Sequence, residues 1–187
     1  MKENYMAKNN RKTIDTVFVS LGLIATIFLI LAGIGSWYGY SFADKNVKDQ
    51  LTAEKVYFPT TDSLAFKSLP AADQTEMSKY AGQQLVNGKQ AKVYADNYID
   101  VHLSQIAGGK TYSQVSAALQ ADPTNTTLKV QQQLLFQGET LRGLLLGDGY
   151  GFWMFGQIAW YASYVSFLGS IIMAVLVIFG LRRINKS

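Results

Sequence analysis

The chain has 187 residues, 49% hydrophobic and 16% charged, with a formal net charge of +4 and no cysteine. That length normally fits one soluble domain around its own core, yet no charged residue falls in the 28 residues Thr16–Ala43 or the 33 residues Gly149–Leu181. Both runs exceed the ~20 residues that cross a hydrocarbon layer and exclude an ordinary soluble protein, while the missing cysteine excludes disulfides, thiolate metal sites and lipoprotein processing.

In chain order, residues 1–15 form a basic arm, with Lys2, Lys8, Arg11 and Lys12 against Glu3 and Asp15. Residues 16–40 are the first predicted transmembrane helix, since twelve of the twenty residues Val17–Ser36 are Val, Ile, Leu or Phe. The arm and the small residues at Ser41-Phe42-Ala43 also resemble a signal peptide. An apolar region there runs only about 7–15 residues, so an uncleaved anchor is the reading adopted. Residues 41–151 form the segment between the spans. Asp44–Val56 predicts a helical stalk, and Pro59 disfavours helix in the residue before it. Thr60–Ala72 reads as a loop broken again by Pro70, and Asp73 as the N-cap of a helix reaching toward Val86.

Lys89–Ala107 predicts a helix with Ala91, Tyr94, Tyr98, Val101 and Gln105 near one face, closed by Gly108-Gly109, which tolerate a left-handed C-cap. Thr111 is placed to cap a short helix over Tyr112–Gln120. Asp122-Pro123 starts a turn, and Thr127–Leu146 reads as a long helix with Leu134, Leu135, Leu141, Leu144 and Leu145 inward. Gly147–Gly151 is expected to hinge it to the second span, 152–181, which contains the apolar run Ile171–Phe179. The tail 182–187 carries Arg182, Arg183 and Lys186 with no acid.

The fold class that follows is an all-α membrane protein, a two-helix transmembrane hairpin with a mostly helical extracytoplasmic cap. Its direction comes from charge. The segment between the runs balances ten basic against eleven acidic residues, whereas both ends are net basic, and basic flanks stay in the cytoplasm. Localisation in the cytoplasmic membrane, with both termini inside and 41–151 outside, is the expectation. Trp37, Tyr38 and Tyr40 after the first span, and Trp153, Phe155, Trp160 and Tyr161 at the start of the second, suit the outer interface. The pI of about 9.2 thus follows from topology and needs no nucleic-acid partner. Small residues permit close helix approach in lipid. Gly22, Ala25, Ala32 and Ser36 form one candidate packing stripe, and Gly156, Ala159, Ser163, Ser166, Ser170 and Ala174 the other, within one chain or between copies.

Three stretches, Tyr94-Ala95-Asp96-Asn97-Tyr98-Ile99-Asp100-Val101-His102, Gly108-Gly109-Lys110-Thr111-Tyr112 and Leu141-Arg142, together resemble a family of small two-span bacterial membrane proteins seen chiefly in actinobacteria and relatives. Its members are often labelled ring-opening dioxygenases. The likeness covers roughly residues 45–160 and implies the architecture alone, because the family brings no established activity. His102, Gly108, Gly109, Lys110, Tyr112 and Arg142 become structural candidates.

Chemistry finds little purchase. A dioxygenase iron site takes two histidines and a carboxylate, and His102 is the only histidine; it reads instead as a helix residue bonded to a backbone carbonyl, with pH sensing as a secondary idea. Gly109-Lys110-Thr111 lacks the first glycine of a phosphate loop, because Ser104 stands there. Gly147-Asp148-Gly149-Tyr150-Gly151 places an acid where a potassium filter needs an apolar residue. No nucleophile elbow is present. Arg142 is read as paired with Glu139 or with lipid headgroups. The expected function is therefore non-enzymatic and cofactor-free: an accessory or scaffold protein of the envelope whose partners are the bilayer and another membrane or envelope protein, or a second copy of itself. A subunit of an oligomeric channel or transport assembly, and an extracytoplasmic ligand sensor acting through a partner, are the alternatives.

Overall fold

The computed structural model describes residues 2–186, with side chains described for 11–185. Glu3 and the basic side chains of Lys2, Lys8 and Lys186 lie outside that range. Every regular element among the described residues is helical: α1 Lys2–Ala53, α2 Leu64–Lys67, α3 Ala71–Ser78, α4 Gly88–Tyr94, α5 Asp100–Ile106, α6 Tyr112–Ala121, α7 Thr126–Leu144 and α8 Phe152–Lys186, with π-helical segments at Ala95–Ile99 and Leu145–Gly151. Two helical stretches, Arg11–Ala53 and Thr126–Asn185, are long and apolar enough to cross a membrane. The chain divides into two compact units, Met1–Phe42 with Gly156–Ser187, and Ala43–Phe155.

In the first unit the two helices meet through small residues, and the meeting points run in opposite order along them. A Cβ added at Gly22 would lie 2.8 Å from Val177 Cγ2, at Gly33 2.8 Å from the Phe167 ring, and at Gly180 2.5 Å from Val19 Cγ2. Gly22, Gly156, Ser163 and Ser170 are buried, and Ala25, Ala32, Ser36, Ala159, Ser166 and Ala174 half-buried. Thr26 and Gly33, outside the two stripes named from the sequence, are buried as well. The buried hydroxyls satisfy themselves locally: Thr26 donates to Gly22 O at 2.7 Å, Ser163 to Trp160 O at 2.7 Å and Ser170 to Phe167 O at 2.8 Å. Each removes a polar group from apolar surroundings without needing the other helix. Arg183 Nε pairs with Asp15 at 3.0 Å, and Trp160 packs against Tyr40, Tyr161 and Tyr164.

The second unit holds the cores. The larger one contains Val47 and Leu51 of α1, Phe58, Phe66, Leu69, Met77, Leu85 and Ala91. Half of these eight come from the stretch Thr60–Val86, which reads from sequence as a loop and one helix. The expected loop holds the short helix α2, and the expected helix is shorter and earlier: α3 begins after Pro70, its N-cap, whose missing N–H has no helical partner to lose, and ends at Ser78 rather than near Val86. Asp73 sits in the first turn instead of capping it. After turns over residues 79–82 the chain extends, so that Tyr57 and Gln84 form an isolated antiparallel bridge and Phe58 N–H donates to Gln83 O at 2.9 Å. A smaller core gathers Leu103, Ala107, Val115 and Leu135.

The caps follow residue chemistry. Asn87 accepts from Gln90 N–H at the start of α4, Asn125 from Leu128 N–H at the start of α7, and Thr111 with Gln114 forms a reciprocal capping box on α6. Such caps satisfy amide groups left bare by the first helical turn. The α5 helix stops where Gly108 and Gly109 turn left-handed, with φ of +61° and +78°. The glycines at 147–151 do not hinge the chain as expected. Leu145–Gly151 is a π-helical segment directly continued by α8, so extra residues are absorbed by widening the helix.

Candidate functional site

Helix α4, the π segment Ala95–Ile99 and α5 follow one another without a break. Tyr94, Tyr98 and His102, spaced four apart, stack along that rod with ring centroids 4.9 and 4.4 Å apart. Phe58 joins the ladder at 5.3 Å from Tyr94 and at 5.3 Å from Tyr80. His102 Nδ1 lies 2.7 Å from Tyr98 O, the geometry of an imidazole N–H donating within its own helix, and its ring is half-buried against Tyr98. Burial, then the neighbouring Tyr98, pushes the Tyr94 phenol up to about 12, so that hydroxyl stays neutral at ordinary pH.

Arg142 of α7 reaches 46 positions back to Asp96, with Nη2 to Oδ1 at 3.3 Å. The same guanidinium lies 3.5 Å from Asp100 and 3.9 Å from Glu139. Lys92 Nζ approaches the other oxygen of Asp96 at 2.5 Å. Two cations thus meet three carboxylates where α4, the first π segment, α5 and α7 come together. All members keep partial solvent access, so the network contributes orientation more than stability. The expected pairing was with Glu139 or lipid headgroups; the Glu139 contact is present, but the nearer partners Asp96 and Asp100 lie far away in sequence.

The other candidates do local work. Gly109 N–H donates to Ser104 O at 2.8 Å, closing α5, and an added side chain at either glycine would meet open space but a strained backbone. Lys110 is exposed. Tyr112 packs its ring 6.0 Å from Phe136 of α7. Among the described residues no group of three or more His, Asp or Glu could hold a metal ion.

The feature that sequence reading missed is a cavity of about 420 Å³. Its floor is the buried trio Val47, Leu51 and Leu85, and its sides are Val56, Tyr94 and Ile99 facing Leu141, Leu144 and Leu145. Exposed Gln50, Glu54 and Asp148 supply polar atoms. Both π segments contribute, the first through Ile99 and the second through Leu145, Asp148 and Gly149. A π segment carries one extra residue per turn and so turns side chains off the regular helical face, an irregularity frequent at functional sites. A chamber of this size, apolar with a few polar groups, falls in the range that binds small organic molecules. The available signal was a Gly-rich stretch following apolar residues at 141–146, which reads as a hinge when the partner helix is unknown. No protein-family model, no curated protein and no solved structure matches the chain.

Proposed function

We propose that the chain is a non-enzymatic two-span protein of the cytoplasmic membrane, with both termini inside and residues 41–151 outside as a helical domain that docks another membrane or envelope protein. The observation that carries this reading is uncovered apolar surface. In the most apolar windows of the two long helical stretches only 11% and 6% of residues are buried. A core helix of a soluble protein would be mostly buried; Phe18, Phe28, Leu31, Val165 and Leu168 are instead open, as lipid-facing side chains would be. The net basic ends and near-neutral middle support that direction.

The helical domain adds its own open surface. On α7, Val130 and Leu134 are exposed four apart on one face of the helix, while Leu141 and Leu144, also exposed, line the cavity described above. Three of those leucines read as inward from sequence; only Leu135 is fully buried and Leu145 half-buried. Apolar stripes of this kind fit a partner helix laid alongside.

The chain has no cysteine, so single cysteines report topology directly. T61C is expected to react with a membrane-impermeant maleimide on intact cells and K12C only after lysis; the opposite pattern overturns the orientation. A photoreactive residue at position 130 or 134 is expected to crosslink to a protein, a second copy included, and the V130D variant to lose the adduct. Chains that stay monomeric and uncrosslinked in cells defeat the docking role.

A further inference from the structure

We propose that the cavity of the second unit holds the alkyl chain of a single-tailed amphiphile drawn from the bilayer, one whose head group is zwitterionic, cationic or neutral. This rests on the membrane reading above.

Three observations lead there. First, the size is right: a buried apolar cavity of ~150 Å³ takes one benzene, so about 420 Å³ takes roughly 16 carbon atoms on the same scale, the length of an ordinary acyl tail. Second, covalent connectivity keeps the walls close to lipid. Val47 and Leu51 follow within eight residues of Ala43, where the first charge-free run ends, and Leu141–Leu145 precede the second run, which starts at Gly149. Any bilayer that receives both runs therefore lies within a few helical turns of both walls. Third, the charge selects the head. The two ionisable groups lining the cavity at its exposed edge are the carboxylates of Glu54 and Asp148, which repel an anionic head and attract an ammonium, while Gln50 offers both a donor and an acceptor. The floor of Val47, Leu51 and Leu85 has no polar side-chain atom to solvate anything but hydrocarbon.

The test uses the full chain in phosphatidylcholine nanodiscs, avoiding detergent tails, with a lysophosphatidylcholine whose palmitoyl chain carries a diazirine near its end. Adducts are mapped by peptide mass spectrometry. Labelling is expected at 47–56 and 141–149 as well as along the two apolar runs. The filling variants L144W and L141W, both at exposed positions that tolerate a larger ring, are expected to lower labelling of the cavity segments at least tenfold while leaving the runs labelled. A photoreactive palmitate is expected to label the cavity at least fivefold less than the lysolipid, and E54Q/D148N to narrow that gap. Labelled runs without cavity adducts, or cavity adducts indifferent to both filling variants, overturn the inference and leave the membrane reading intact. Absence of label from the runs themselves overturns the membrane reading. A copurifying protein crosslinked through the cavity walls in place of lipid also overturns the inference.

Discussion

Gly88→Ala isolates a close approach in the second unit whose obstacle includes backbone. Gly88 opens α4 and is buried. A Cβ there would stand 2.3 Å from Trp153 Cβ, 2.6 Å from Trp153 Cγ and 2.8 Å from Gly149 O, where ordinary contact starts at 3.4 Å. Neither the carbonyl nor a Cβ can rotate away, so α4 must separate from the Leu145–Gly151 segment by close to an ångström. Relief of glycine's unfolded-state entropy favours the alanine by up to about 1 kcal/mol, and overpacking of this kind costs about 1–3 kcal/mol. With backbone atoms as the obstacle the upper end applies, and the net loss is about 2 kcal/mol. For a unit of this size that lowers the melting temperature by roughly 8 °C. Gly143→Ala is the internal control: nothing lies within 4 Å of its added Cβ, so the same chemical change gains about 0.5–1 kcal/mol from helix propensity. Tryptophan-fluorescence melts of the full chain in nanodiscs read both. Equal or higher stability for Gly88→Ala, or the same sign for the two variants, refutes the packing argument.

Met77→Ala empties the centre of the larger core, where the side chain is fully buried, and is expected to cost about 2–5 kcal/mol, checked by the same melts. Thr111→Ala removes half of the capping box on α6 and is expected to cost about 1 kcal/mol, with faster hydrogen exchange confined to the first turn of that helix. Tyr94 holds its proton more tightly folded than unfolded, because its pKa is raised from 10.0 to about 12. Its contribution is therefore complete below pH 10 and is lost as pH climbs toward 12. Melts across pH 9–12 should fall less steeply for Tyr94→Phe than for the parent chain, and identical slopes would remove Tyr94 from the alkaline transition.

What could be read directly were features whose cause is local. Gly108-Gly109 end α5 because glycine accepts their positive φ without a side-chain clash, and Thr111 with Gln114 caps α6 through bonds three residues apart. Fold class was legible at the level of helices and of two long apolar stretches, since charge-free runs announce themselves. Features with distant causes were not legible. Phe66, Leu69, Met77 and Leu85 sit among Ser, Thr, Lys and Pro with neither helical nor strand period, and only tertiary contact makes them a core. The extra residue of each π segment leaves no mark in composition, and Leu134, Leu141 and Leu144 read as inward although they are exposed, because apolarity alone does not tell which side of α7 a neighbouring element covers. Arg142 was read as paired with Glu139 or with lipid headgroups, but its nearer partners Asp96 and Asp100 depend on a rod that passes beside it in space. The cavity draws its walls from α1, α7 and both π segments, so it too depended on contacts distant in sequence.

The larger core has a peculiarity of timing. Val47 and Leu51 belong to it, yet Leu145 and Trp153 pack against it from the far end of the segment. A ribosome adding 5–20 residues each second needs roughly 5–20 s to travel from the first pair to the last. For most of that interval Phe58, Phe66 and Met77 are already made and lack their final neighbours. Biogenesis therefore contains an obligatory waiting period during which sticky, half-assembled polypeptide must be shielded, and any stalled or truncated product lacking the final helix would be left for quality control to remove.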